Sequence, residues 1–228
     1  EFLSPGRLGN RPVDLVDLSV AIDAAATSVA ALAPADNPMS APGTTLSGLM
    51  VLRTTEGPYW LSFNVGDSRA YVVGGGGIRQ LTHDHSALQE ARDLAATSGA
   101  PRVIPPANVV TKALGAGQSG SVKADYTIMP LEEGDRAVIC TDGVHGVLQD
   151  AQIHAIVAAG DGPQGSADAL VQASLEIGTR DNTTAVVVYA GTESRVTLTT
   201  NVLNRMIQPV RPASIQTARR VPRREGSN

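Results

Sequence analysis

The sequence predicts an α+β fold in which antiparallel sheets carry helices on their outer faces, and three observations predict it. Short apolar runs separated by tight-turn residues fill the middle of the chain. Helical periodicity comes before and after them. Strands and helices do not alternate in the strict order that a parallel sheet needs. At 228 residues, with 42% hydrophobic and 18% charged side chains, the chain has the apolar material for one domain with a sizeable core and lacks the composition of a disordered segment. Aromatic residues are only 3%, so the core is built from Val, Leu, Ile and Ala.

The elements follow in order. Residues 1–11 carry Pro5, Gly6, Gly9 and Asn10 without a period and read as a loop. Residues 12–33 are Ala-rich, with Val13, Val16, Ile22, Ala25, Val29 and Leu32 near helical spacing, and Pro34, Pro38 and Pro42 end that helix. Runs at 46–52, 59–65, 71–73 and 78–81 are strands joined through Glu56-Gly57-Pro58, Gly66-Asp67-Ser68 and the four glycines at 74–77. The glycine run reads as a hairpin turn, not as a phosphate-cradling loop, because no Lys-Ser/Thr follows and no helix opens there. A polar helix at 86–98 precedes a Pro-rich loop at 99–108. Further strands are predicted at 109–114, 122–129, 136–140 and 183–189, with helices at 151–159 and 167–177. The tail 195–228 holds seven arginines against one acid and is broken by Pro209, Pro212 and Pro222, so it reads as a solvated linker. No repeat of fixed period occurs.

The formal charge of −4 gives no basic face for nucleic acid. The single Cys140 lies in an apolar run and reads as a buried thiol, which with the absence of disulfide partners points to the cytosol. No run approaches the roughly 18 apolar residues of a membrane span, so no membrane partner is expected.

Three carboxylates sit at the ends of apolar runs beside small residues: Asp67 in Gly66-Asp67-Ser68, Asp142 in Thr141-Asp142-Gly143, and Asp181 in Asp181-Asn182-Thr183. Singly, each reads as a turn residue that accepts backbone N–H bonds. Together, without a matching Cys or multi-His set, they suit hard oxygen-seeking ions such as Mn²⁺ or Mg²⁺. Two such ions about 4 Å apart can activate water and clamp a phosphoryl group. His83 and His85 read as exposed loop histidines. Arg69 and Arg180 are suited to phosphate but read first as ion-pair partners of nearby aspartates. Cys140 has no following Cys-x₅-Arg loop and is not read as a nucleophile.

The runs Phe63-Asn64-Val65-Gly66-Asp67-Ser68-Arg69-Ala70-Tyr71, Leu81-Thr82-His83-Asp84-His85-Ser86, Gly134-Asp135-Arg136 leading into Cys140-Thr141-Asp142-Gly143, and Asp181-Asn182-Thr183-Thr184 resemble successive motifs of the PPM-type (type 2C) metal-dependent Ser/Thr protein phosphatases. Gly43-Thr44-Thr45 and Val109-Val110-Thr111-Lys112-Ala113-Leu114-Gly115 match in kind and order, and the similarity covers residues 13–189. The resemblance implies a four-layer αββα sandwich of two antiparallel sheets flanked by helices, with a metal site at one end. It implies that Asp142 and Asp181 bind Mn²⁺ or Mg²⁺, that Asp84 helps hold a third, weaker ion, and that Asp67, Gly143 and Asn182 support the site. It also implies a phosphorylated protein substrate, a Ser/Thr kinase that the enzyme opposes, and a monomer.

The chain departs from the family at its start. The family's Arg, its Asn-Glu-Asp stretch and its Asp-Gly-x-Gly-Gly-His motif do not occur before Pro12, and residue 1 is Glu. The expected organisation is therefore a loop remnant at 1–12, a partial phosphatase domain at 13–190 and a basic tail at 191–228. Two readings stay open: a fragment of an active enzyme, or a pseudophosphatase that binds phosphoproteins without cleaving them.

Overall fold

The computed structural model describes residues 14–37, 41–98, 104–106, 108–116 and 122–191. The expected leading loop and all but the first residue of the expected tail lie outside the described residues.

Helix α1 (Leu15–Ala30) begins where two acids cap each other: Asp17 N–H donates to Asp14 Oδ1 at 2.9 Å and Asp14 N–H to Asp17 Oδ2 at 3.1 Å. Its buried stripe is Leu18, Ile22 and Ala26, each four residues from the last. Val16 and Leu32, expected on that stripe, are exposed. Val16 lies two positions before Leu18, roughly 200° around the helix, and Leu32 lies beyond the helix end.

The strands are β1 (Gly43–Thr44), β2 (Leu46–Thr54), β3 (Gly57–Val65), β4 (Arg69–Gly74), β5 (Gly77–Gln80), β6 (Leu114–Gly115), β7 (Asp125–Pro130), β8 (Arg136–Cys140) and β9 (Ala185–Tyr189). They form a three-stranded sheet β2-β3-β7, a four-stranded sheet β5-β4-β8-β9 and a small β1-β6 pair. All pairings are antiparallel. The glycine run is a hairpin turn, with Gly74 opposite Gly77 and the latter at φ +102°. The remaining helices are α2 (Ala87–Ser98), α3 (Asp142–His145), α4 (Asp150–Ala159) and α5 (Pro163–Ile177). Helix α5 starts a turn earlier than its apolar pattern predicts, because Pro163 is tolerated in the first turn.

Two strand expectations are corrected. Residues 109–114 are not a strand: only an isolated bridge between Val110 and Ser86 and the short β6 form there. The backbone pairs locally instead, Ala87 N–H with the Val109 carbonyl and Thr111 N–H with the His85 carbonyl, and Val109 and Val110 stay exposed. Residues 122–124 precede β7 as coil, although Val122 is buried against α1.

The period-2 alternation of the strands sorts the core into three layers. From β3, Leu61 and Val65 join Leu18, Ile22 and Ala26 of α1, while Trp60 faces the second sheet. From β4 and β8, Tyr71, Val73, Val138 and Cys140 pack under α4 and α5 with Ile153, Val157 and Leu170. Their neighbours Val72 and Ala137 point back to Trp60 and Leu81 between the sheets. Helix, sheet, sheet, helix is the αββα order. No described helix is long and apolar enough to cross a membrane.

Two polar contacts tie these layers. Arg136 stacks 4.5 Å over the Tyr189 ring and donates to the Val157, Ala158 and Gly160 carbonyls at the end of α4. Trp60 Nε1–H donates to Asp135 Oδ2 at 2.9 Å, joining one sheet to the loop that starts β8 in the other. Asp135→Ala leaves the indole N–H unsatisfied, so a loss of about 1–3 kcal/mol is expected. Because Trp60 is the one tryptophan of the chain, its emission should shift to the red as the urea midpoint falls. An unchanged midpoint would remove Asp135 as a sheet-to-sheet tie.

Candidate metal centre

Strand pairing brings the three singled-out loops to one end of the sandwich. Arg69 of β4 faces Cys140 of β8, and Cys140 faces Ala185 of β9. The residues just before β4, just after β8 and just before β9 therefore share one edge. Gly66-Asp67-Ser68 also carries the chain from β3 in one sheet to β4 in the other. Gly66 sits at φ +114° with Thr45 where a Cβ would be, so this turn needs glycine on both counts. Ser47 Oγ donates to the Ser68 carbonyl at 2.8 Å, and Thr45 Oγ1 lies 3.0 Å from Ser68 Oγ.

Asp142 opens the single-turn α3. Thr141 locks it against the loop before β9: its N–H donates to the Thr184 carbonyl, its Oγ1 accepts from Thr184 N–H at 3.1 Å and donates to the Asn182 carbonyl at 3.3 Å. Gly143 has no room for a Cβ, because the Asn182 carbonyl fills that space. Asn182 and Gly143 thus act through backbone contact. Asp181 lies in the same loop, exposed, and its Oδ1 accepts the Asn182 N–H at 2.6 Å.

Asp67 is buried, and its carboxyl is pushed up first by that burial and then by the charge of Asp142 beside it. A divalent cation would offset both. The donor set is oxygen only, which fits Mn²⁺ or Mg²⁺, and Mg²⁺ commonly takes one or two carboxylates and completes its shell with water. Among the described residues no group of three or more His, Cys, Asp or Glu comes together as a ready cage. The residues that could hold such an ion are Asp142 and, on the adjoining loop, Asp181, with the buried Asp67 behind them.

Asp84 is buried in a fork with Arg69: Arg69 Nε reaches both carboxylate oxygens at 3.0 Å and Nη2 reaches Oδ2 at 2.7 Å. Gln80 Nε2 donates to its Oδ1 at 3.0 Å, and Arg69 Nη1 also donates to the Tyr71 hydroxyl. Arg69 is thereby an ion-pair partner, as its residue type suggested. Arg180 is exposed. Cys140 is a core thiol that burial pushes up to about 12, far from a nucleophile's range.

His83 is exposed and pairs with Asp93 at 2.8 Å, as expected of a loop histidine. His85 corrects that expectation: its side chain is 11% exposed and every polar atom of the residue is engaged. The crowding comes from contacts with 66, 111, 112 and 125, which are distant in sequence.

His145 was not singled out from the sequence. Its Nε2 lies 2.9 Å from the Asp67 carbonyl, so that nitrogen carries the proton. Its place three residues after Asp142, on one helical face, is the signal that could have found it. Burial, and then the charge of Arg69, hold its pKa below the usual imidazole range. The folded state keeps His145 neutral while the unfolded chain takes up a proton. Its contribution to stability is therefore present above the ordinary value near 6.5 and is lost as pH falls through the depressed folded value. His145→Gln keeps an N–H for the Asp67 carbonyl but cannot titrate. The drop in melting temperature from pH 7 to pH 5 should be smaller in this variant than in the wild type, and an equal drop would show that other groups set the acid limit.

No family model matches the chain. It is 30% identical over 126 residues to the Serine/threonine phosphatase stp of Listeria innocua, covering 55% of this chain and 49% of that protein. The chain thus spans about half the length of the first curated relatives it matches. Among solved structures, that of the PPM Ser-Thr phosphatase MsPP from Mycobacterium smegmatis in complex with cacodylate is 31% identical, with a TM-score of 0.63 over 78% of this chain and 74% of that one. The catalytic domain of the serine threonine protein phosphatase PstP in complex with 2 manganese ions is 27% identical, with a TM-score of 0.63 over 78% and 72%.

Proposed function

This chain belongs to the PPM family of Ser/Thr phosphatases, and from that premise we propose that it hydrolyses phosphoserine and phosphothreonine on proteins at the end of the sandwich that bears Asp67, Asp142 and Asp181. The observation that supports this reading most is the convergence of the Asp67 turn, the Asp142 turn and the Asp181 loop through strand register.

Asp142 and Asp181 are the residues that would hold Mn²⁺ or Mg²⁺, and Asp84 would share its carboxylate between Arg69 and a third ion. Bound there, such ions supply an activated water and charge stabilisation for an in-line displacement at phosphorus. Thr141, Gly143 and the Asn182 carbonyl hold Asp142 in place, and Asp67, with His145 on its carbonyl, supports it. Two-ion PstP is the relative that makes manganese the first ion to test. In the cell the chain would oppose a Ser/Thr kinase, as a cytosolic monomer. Nothing among the relatives favours a phosphoprotein-binding module without hydrolysis.

The test is phosphate release from a phosphothreonine peptide by this chain with Mn²⁺ and with EDTA. Release with the ion and none with the chelator is expected. No release by folded protein that has been shown to bind Mn²⁺ would overturn the reading.

A further inference from the structure

We propose that His85 is a positioning residue of this site, holding the Gly66-Asp67 turn through its ring Nδ1. The residue grips Gly66 twice: Gly66 N–H donates to His85 Nδ1 at 3.0 Å, and His85 N–H donates to the Gly66 carbonyl at 2.9 Å. Asn64 Nδ2 reinforces the same carbonyl at 2.9 Å and reaches the His83 carbonyl at 3.0 Å, so β3 and the 83–85 segment close on the turn together. The His85 carbonyl accepts from Thr111 N–H, which anchors the segment from behind.

An amide N–H aimed at Nδ1 requires that nitrogen to be bare, so the ring proton sits on Nε2. Asp125 Oδ2 lies 3.1 Å from Nε2 and takes that proton's hydrogen bond, while Lys112 Nζ, 3.3 Å from Nε2, is paired with Asp125 Oδ1 at 3.1 Å. Asp125 at the start of β7 therefore sets the tautomer that Gly66 needs. The chain of contacts runs from β7 through the imidazole to the residue before Asp67. Gly66 at φ +114° is conformationally permissive, so these contacts, together with Ser47 on the Ser68 carbonyl, fix the direction in which the chain reaches Asp67.

The metal consequence rests on the phosphatase reading above, whereas the tautomer and the turn do not. Ring ¹⁵N spectra of the 228-residue chain should show His85 with a bare Nδ1 and a protonated Nε2. A proton on Nδ1 would overturn the proposal. Hydrogen exchange at the Gly66 amide and Mn²⁺ titration calorimetry are then compared across His85→Ala, His85→Gln and His85→Asn. Asn can place an acceptor near Nδ1, whereas Gln mimics Nε2. Ala and Gln should exchange the Gly66 amide about tenfold faster and bind Mn²⁺ about tenfold more weakly, the usual scale for residues behind a ligand. Asn should restore both to near the wild type. Wild-type protection and affinity in Ala, or an Asn variant as impaired as Ala, would refute the role. If Ala does not fold, the wild-type tautomer and the Asn–Gln contrast still decide. If the wild-type chain binds no Mn²⁺, the metal reading falls, and the Gly66 amide alone judges His85.

Discussion

Asp142→Asn should lower Mn²⁺ affinity and Mn²⁺-dependent phosphate release by at least about a hundredfold, because losing even a residue behind a ligand commonly costs 10–100-fold. The fold should hardly notice. The Asp142 carbonyl still accepts the Gly146 N–H at 2.8 Å, Thr141 still ties the turn to Thr184, and the side chain is isosteric, so a change within about 1 kcal/mol is expected. A second readout separates loss of a charge from loss of shape. Asp142 is the second cause of the raised Asp67 pKa, after burial. In Asp142→Asn the Asp67 carboxyl should titrate lower by carbon-detected NMR, though still above an ordinary aspartate. Unchanged Mn²⁺ affinity would take Asp142 out of the site. An unmoved Asp67 would show that the two carboxylates do not sense each other.

The largest stability effect is expected at Arg69. Arg69→Met leaves Asp84 as a buried charge without its fork of donors, and truncating one partner of such a pair costs on the order of 3–5 kcal/mol. The urea midpoint should fall accordingly. Arg69→Met combined with Asp84→Leu should recover much of the loss, since an apolar pair of similar volume needs no compensation. Tyr71 is the check on this argument. Its hydroxyl also accepts from Arg69, and it is fully buried over the α4–α5 layer, so a double variant as unstable as the single one would mean that the Tyr71 contact, not the ion pair, carries the energy.

Local chemistry made much of the fold legible. The Gly74–Gly77 hairpin, the strands around Tyr71 and Val138 and the α4 helix follow from turn residues and period alone. Segments 109–114 and 122–124 misled because β-branched and apolar residues mark a strand only where a neighbouring strand exists, and Val109 and Val110 have none. The buried face of α1 could not be chosen from its Ala-rich pattern, since several stripes are apolar and only the sheet decides between them.

By itself the sequence determined most of the longer helices and strands, the α+β class and the residue types of an oxygen-donor site in loops at 67, 142 and 181. Those depend on residues near one another along the chain. Tertiary structure alone decided that these loops share one end, that Asp67 is buried and feels the charge of Asp142 while Asp84 is held by Arg69, and that His85 and His145 both grip the Gly66-Asp67 turn. The reason is physical: burial, charge repulsion and hydrogen-bond direction depend on distances between segments far apart in the chain, such as Asp67 and His145 or the core neighbours Tyr71 and Val187, and no local pattern encodes such distances.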